Sequence, residues 1–369
     1  MSRLRVAIVA PSLAILGGQS VQAQQLIQAW SNDPEVEAWL VPVNPAPPGT
    51  LLTALARKKY VRTVITQASY WPLLWHELRR ADLVHVFSAS YSSYLLSTTP
   101  AMFVAARLER PVLLNYHSGE APDHLRRSRF ARRTLASVDQ VAVPSRFLAD
   151  VFGEFGIEAD VIPNIIDREG FAFRCREPLR PRFISTRNLQ PLYNVACTLR
   201  AFGRIQAEVP EATLKVVGYG AELPRLQQLA SSLGLTSVTF TGRIPPAEMP
   251  RHYAESDIYL QSPDIDNMPL SVLEAFASGT TVVSTRTGGV PAILEDGAQG
   301  LLVPPNDDRA LAGAALRLLR DPQLAARLSR QAYAASEVYT WQRVRPLWLS
   351  AYRRLATAVP QPVARLERA

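Results

Sequence analysis

Asp266-Asn-Met-Pro-Leu-Ser-Val-Leu-Glu274, continued by Ala-Phe-Ala-Ser-Gly279 and closed by Thr281-Val-Val-Ser284, reads as loop, short helix and buried strand in succession. Pro269 suits a first helical turn, where its missing N–H has no intrahelical partner. Gly279 suits the helix stop. The stretch sets two carboxylates eight positions apart, one in the loop and one on the helix that leaves it. If residues 269–274 are helical they rise only about 9 Å, so both carboxylates can border one cleft. Between them the backbone N–H groups of Asn267 to Leu270 can sit unpaired at a helix N-terminus, where anions and oxygen-rich ligands are favoured.

Outward from this segment, short apolar runs alternate with longer amphipathic ones along the whole chain. Strands are expected at Leu4–Val9, Val36–Val41, Leu83–Phe87, Val112–Tyr116, Gln140–Val143 and Asp160–Ile162. The pattern restarts with Arg182–Ser185, Leu214–Val217, Val238–Thr241, Ile258–Gln261 and Thr281–Ser284. Helices are expected between strands, among them Ser20–Trp30, Tyr91–Leu108 and Ser145–Phe155. Such alternation specifies parallel sheets covered by helices on both faces, and two successive sets imply two domains. The periodicity breaks near Ile165–Pro181. Trp341, Val344, Trp348, Tyr352 and Leu355 recur at helical spacing and read as a docking stripe; residues after about 358 read as a frayed tail.

A chain of 369 residues is natural for two domains, and 47% hydrophobic residues suffice for packed interiors. Two cysteines, Cys175 and Cys197, show neither metal spacing nor a disulfide framework, which points to a reducing cytoplasm. The N-terminal apolar run is too short for a secretory signal, and no run approaches a membrane span. The net charge of +8 favours anionic partners. Helix-turn-helix, zinc and RNA-binding signatures are missing, which argues against nucleic acid.

Several positions carry two readings. Gly17-Gly18, between the first strand and a helix, is either a plain tight turn or a place where a diphosphate approaches the backbone beside a helix N-terminus. His117 ends the run Pro111–Tyr116, at the strand end where ligand sites in open α/β sheets lie; otherwise it satisfies a turn. His85, inside a strand, reads as core. Arg187, after a strand, can grip a diphosphate bidentately. Gly218, in Val216-Val-Gly-Tyr-Gly220, is a second glycine at a strand end. Glu274 either accepts ligand hydroxyls or complements a helix dipole for about 0.3–1 kcal/mol. Leu125–Arg133, with five arginines in nine residues, is a solvated helix face or a contact to anionic lipid; Trp71, Leu73, Leu74 and Trp75 are either its apolar anchor or buried core.

The Asp266–Glu274 segment resembles the acidic E-x7-E motif of retaining glycosyltransferases (glycosyltransferase family 4, glycosyl transferases group 1), with Asp266 in place of the first Glu. The likeness extends through Phe240-Thr-Gly-Arg243, Asp257–Pro263, Gly288-Gly-Val-Pro291 and Asp296–Pro304. It implies an α/β, GT-B architecture, two Rossmann-like parallel-sheet domains facing a central cleft. Residues 1–166 would be the acceptor domain, 167–180 a linker and 181–340 the nucleotide-sugar donor domain. Residues 341–369 would hold a helix returning to the N-terminal domain, plus the tail.

The resemblance also implies roles. His117 would contact the transferred sugar, while Arg187 and the Gly17-Gly18 loop would hold the donor diphosphate, with Asn188, Arg243 or helix amides as further donors. Gly218, Arg243 and Ile244 would lie beside the nucleotide base. Asp266, Asn267, Met268, Pro269 and Leu270 would orient the sugar, and Glu274 would fix the ribose. The family pairs the arginine with a lysine about five residues on; here that region is Leu192-Tyr193-Asn194. The expected protein is a cytoplasmic, metal-independent hexosyltransferase without a cofactor, using a nucleotide sugar and a glycan or lipid-linked acceptor, with peripheral contact to an anionic membrane as a further partner. A nucleotide-sugar 2-epimerase or hydrolase on the same fold, and a degenerate scaffold without transfer activity, are the alternatives.

Overall fold

The computed structural model describes residues 3–47, 49–50 and 58–357. Residues 48 and 51–57, and the tail after 357, lie outside the described residues. By its contacts the chain forms two units, Met1–Ile165 with Val344–Ala369, and Ile166–Arg343.

The first unit is a six-stranded sheet in the order β2-β1-β3-β4-β5-β6, with every pair parallel. Its strands are β1 (Leu4–Ala10), β2 (Val36–Pro42), β3 (Leu83–Ser88), β4 (Val112–Tyr116), β5 (Gln140–Val143) and β6 (Asp160–Val161). All of β3 and β4 is buried, as expected of strands covered on both faces. The helices are α1 (Gly18–Trp30), α2 (Lys59–Leu78), α3 (Thr99–Arg107), α4 (Ala121–Arg127), α5 (Arg129–Leu135) and α6 (Arg146–Gly153). The helix expected over Tyr91–Leu108 is interrupted: a turn at Tyr91–Ser93 leads into a π-helical turn, Tyr94–Thr98, ahead of α3. Pro100 in the first turn of α3 has no N–H to continue an incoming α-helical ladder.

The second sheet runs β12-β11-β10-β7-β8-β9, again wholly parallel. Its strands are β7 (Arg182–Thr186), β8 (Thr213–Val217), β9 (Val238–Gly242), β10 (Ile258–Leu260), β11 (Thr281–Thr285) and β12 (Gly300–Val303), the last not expected. Its helices are α7 (Val195–Glu208), α8 (Leu223–Ser232), α9 (Met249–Ala254), α10 (Leu270–Ser278), α11 (Asp308–Arg320) and α12 (Pro322–Ala335).

Residues 167–180, expected as a linker, pack within the second unit. The buried Arg176 guanidinium donates to the carbonyls of Arg174, Ser278 and Tyr253 at 2.8–2.9 Å and faces Asp257 at 3.3 Å. Phe173 lies against Tyr333 at 4.2 Å. The last helix, α13 (Trp341–Thr357), buries Val344, Trp348, Tyr352 and Leu355, and Arg345 donates to Asp33 and Glu35 of the first unit at 2.6–3.1 Å. No helix among the described residues is long and apolar enough to cross a membrane.

Each sheet reverses its strand order once, between β1 and β3 in the first and between β7 and β10 in the second. Loops leaving the carboxyl ends of strands at such a reversal diverge and leave a crevice, the usual ligand site of open α/β sheets. Arg187 follows β7, and Asp266 lies in the loop after β10. The topology alone therefore brings this pair to one place.

Candidate functional site

At the switch point of the second unit the Arg187 Nη2–H donates to Asp266 Oδ2 at 2.6 Å and Nη1–H to Ser271 Oγ at 3.2 Å. Both charged side chains are about nine-tenths buried, 9% and 10% exposed. Burial works against the guanidinium charge, but the Asp266 carboxylate together with Tyr193, Tyr259 and Tyr253 more than offsets it and holds Arg187 firmly protonated. Burial also pushes the Asp266 carboxyl up, opposed by Arg187 and by the amide of Asn267. The buried Arg187 Nε–H has no hydrogen-bond partner and is among the donors left over after Asp266 and Ser271.

The helix α10 is buried on nearly every side; only Leu270 and Glu274, one turn apart, stop short of full burial. Glu274 therefore lies on the one open face. It is not in the first turn, which removes the helix-dipole reading of its charge. Burial pushes its carboxyl up to about 7, against the pull of a Tyr253 hydrogen bond and the Arg187 charge. Tyr253 donates to the Ser271 carbonyl at 3.0 Å and stands 2.8 Å from Thr186 Oγ1; Tyr259 donates to Ser271 Oγ at 2.7 Å. Ser271 thus links both tyrosines to Arg187.

The entry to α10 differs from expectation in two ways. Pro269 is the N-cap, with extended backbone, rather than a first-turn residue. The Asn267 N–H donates to Asp266 Oδ1 at 2.9 Å, because an aspartate reaches its neighbour's amide, so that amide is not open to an anion. Gly279 ends the helix with φ 75° as expected. Asp264 accepts from Asn194 Nδ2 at 3.0 Å, so Asp264 and Asp266 serve different partners.

The glycines here have steric reasons. A Cβ on Gly288 would lie 1.9 Å from the Asp266 carbonyl oxygen, and one on Gly289 would lie 2.2 Å from that of Asn267. One on Gly218 would lie 2.0 Å from the Arg187 carbonyl oxygen, where the Leu189 N–H donates to the Tyr219 carbonyl at 2.9 Å. Gly218 thus admits the Arg187 backbone. Asn188 is half-buried beside it, Arg243 lies over the Tyr219 ring at 5.6 Å, and Ile244 packs against the apolar cluster holding Met268.

In the first unit, His117 leaves β4 with its N–H bonded to the Ser88 carbonyl at 3.0 Å. Its ring stacks on Phe87 at 4.9 Å and 13°; Phe87 stacks in turn on the fully buried His85, whose Nδ1 lies 2.8 Å from the Tyr352 hydroxyl. Burial drives His117 down to about 3, so it is neutral, and its Nε2 has no hydrogen-bond partner. Gly17 is the extended N-cap of α1, bonded at its N–H and C=O by Ser20 Oγ at 3.0 and 2.9 Å. A Cβ on Gly18 would meet nothing within 4 Å, so the protein's own packing does not require that glycine. Of the residues read as either anchor or core, Leu74 is fully buried, and Leu73 and Trp75 pack against the core, leaving Trp71 exposed.

Sequence reading missed Thr186, Tyr253, Tyr259 and Ser271. Ser271 stood inside the quoted segment; the others had no local signal.

Two doubly wound parallel sheets with reactive groups at a switch point are the class of the GT-B glycosyltransferases. Residues 16–169 match Glycosyltransferase Family 4 and residues 176–335 match Glycosyl transferases group 1, and the chain belongs to that group 1/family 4 set. A GDP-mannose-dependent alpha-(1-6)-phosphatidylinositol monomannoside mannosyltransferase of Mycolicibacterium smegmatis is 33% identical over 216 residues, covering 53% of this chain and 56% of that one. The chain spans about half the length of the curated relatives it matches, or less. Among solved structures, HepE of Anabaena in complex with UDP and glucose superposes with a TM-score of 0.74 at 16% identity, over 95% of this chain and 100% of that one. Sucrose-phosphate synthase of Thermosynechococcus elongatus gives 0.72 at 20% identity, over 97% and 100%. These two likenesses are of fold.

Proposed function

We propose that this chain is a retaining, metal-independent glycosyltransferase. It would move a sugar from a nucleotide diphosphate donor to a glycan or lipid-linked acceptor, in cytoplasmic synthesis of cell-surface polysaccharide or glycolipid. The observation that carries the reading is the assembly of Arg187, Asp266, Ser271 and Glu274 at one switch point. Arg187 supplies the preorganised positive charge for the departing diphosphate, with its free Nε–H as one donor. Asp266 holds the guanidinium in place and, with the loop that follows, orients sugar hydroxyls. Glu274, once ionised, accepts the ribose hydroxyls. His117, neutral and with Nε2 open, serves the transferred sugar without adding charge.

A calorimetric titration with UDP, GDP, ADP and TDP, repeated with EDTA, tests this reading. The expected result is micromolar binding of one of them, about −8 kcal/mol, unchanged by EDTA. Absence of binding to all four would overturn it in favour of the scaffold alternative. Release of free sugar or an epimer without acceptor would favour the epimerase or hydrolase.

Membrane contact, within the same proposal, is supported by the exposed stripe Tyr60, Val64 and Trp71 on α2. Trp71 meets Phe103 of α3 edge-on at 5.8 Å, with Arg107 over the Phe103 ring. An apolar face with a basic neighbour suits an anionic interface. Co-sedimentation with vesicles containing phosphatidylglycerol should fall at least several-fold for Val64→Asp/Trp71→Asp, and equal binding by the variant would remove this surface.

A further inference from the structure

Tyr193 is the site-proximal residue whose placement the reading above leaves unexplained. The Arg187 guanidinium carbon lies over its ring, 4.0 Å from the centroid. The tyrosine ends a single 3-10 turn, Pro191–Tyr193, and packs against the apolar cluster formed by Leu189, Val195 and Leu199. That turn is stitched to the loop carrying Asp266. The Asp264 and Ile265 N–H groups both donate to the Leu192 carbonyl, at 2.9 and 3.3 Å. Asn194, in the left-handed conformation with φ 44°, donates to Asp264 and caps α7 at the Cys197 N–H. The ring is therefore a fixed platform, tied to the same loop that supplies the arginine's counter-ion.

The geometry assigns Tyr193 as a positioning residue for Arg187: it holds the guanidinium by its face and leaves the N–H edge for a phosphoryl oxygen. Asp266 and Ser271 take one N–H from each terminal nitrogen, and the buried Nε–H is left without a protein partner. A lysine or carboxylate at 193 would repel the guanidinium or consume another of its donors; an aromatic face does neither. Cation–π attraction strengthens when the pair is desolvated, as it is around the nine-tenths-buried Arg187. The ligand class this favours is a diphosphate or pyrophosphate ester bound through one oriented guanidinium. The inference rests on the donor-site reading proposed above and deepens it.

The test is titration of Tyr193→Phe, Tyr193→Leu and Arg187→Ala with the nucleoside diphosphate that binds wild type and with its monophosphate, alongside melting temperatures. Expected is a loss of diphosphate affinity of about 5- to 30-fold in Tyr193→Leu, matching a cation–π contact of this kind. Monophosphate affinity should be nearly unchanged, and Tyr193→Phe should bind as wild type because the ring face is kept. If Tyr193→Leu binds the diphosphate normally while Arg187→Ala does not, the inference falls and the donor-site reading stands. If Arg187→Ala binds normally, both fall. If Tyr193→Leu loses its fold, or both nucleotides weaken equally, the ring is packing alone and the inference is overturned.

Discussion

Replacing Arg187 with alanine should lower turnover on the order of 10²–10³-fold, the usual cost of removing one preorganised donor from a charge-stabilising site. Affinity for nucleoside diphosphates should fall far more than for monophosphates, because the guanidinium is assigned to the departing group. The same substitution leaves the buried Asp266 carboxylate without its partner, a situation that costs about 3–5 kcal/mol. A lower melting point is therefore expected and must be separated from the binding effect. Arg187→Ala/Asp266→Asn makes that separation: it removes the stranded charge and should recover much of the stability, while diphosphate affinity stays low. Equal losses for mono- and diphosphates would take Arg187 out of the phosphate role.

Glu274→Gln should weaken mono- and diphosphates alike, since the ribose is common to both. Loss of a hydrogen bond to a charged group, about 1.5–3 kcal/mol, corresponds to roughly 10- to 150-fold. The pH dependence is the sharper readout. Burial raises the Glu274 carboxyl from 4.5 to about 7, so the ligand-free fold is favoured by the protonated form. That contribution to stability is fully present below pH 4.5 and is lost as pH rises through about 7. Nucleotide affinity should move the opposite way, rising toward pH 8 as the ionised acceptor forms. Glu274→Gln should flatten both profiles. A wild-type affinity that is level from pH 5.5 to 8 would count against Glu274 as the ribose acceptor.

Much of the architecture was legible because buried parallel strands print as short apolar runs. The runs beginning at Leu4, Leu83 and Val112 and those beginning at Arg182 and Thr281 all form strands within a residue or so of their expected ends. The strand Gly300–Val303 was missed: four residues beside a glycine-rich turn carry too little period to separate from a loop. The quoted segment showed Glu274, Asp266 and the helix stop at Gly279, all local features. It could not show that burial pushes the Glu274 carboxyl up to about 7, against the pull of Tyr253 and Arg187, because that burial is supplied by other parts of the chain. Tyr253 itself sits on a six-residue helix without a pattern. Whether Leu74 and Trp75 were anchor or core stayed undecided in the sequence for a related reason. An apolar cluster on a helix names a face, and only tertiary context says whether that face meets core or water.

The first unit is assembled from two segments separated in sequence, with the second unit encoded as one uninterrupted insert between them. During vectorial synthesis at about 5–20 residues per second, residues 166–343 take roughly ten to thirty-five seconds to appear. Through that interval the first sheet waits without Trp348 and Tyr352, the side chains that cover His85. The insert, by contrast, has every strand of its sheet in hand before the last helix emerges. The nascent protein thus has all of the Arg187 unit in hand before residues 344–357 complete the unit carrying His117.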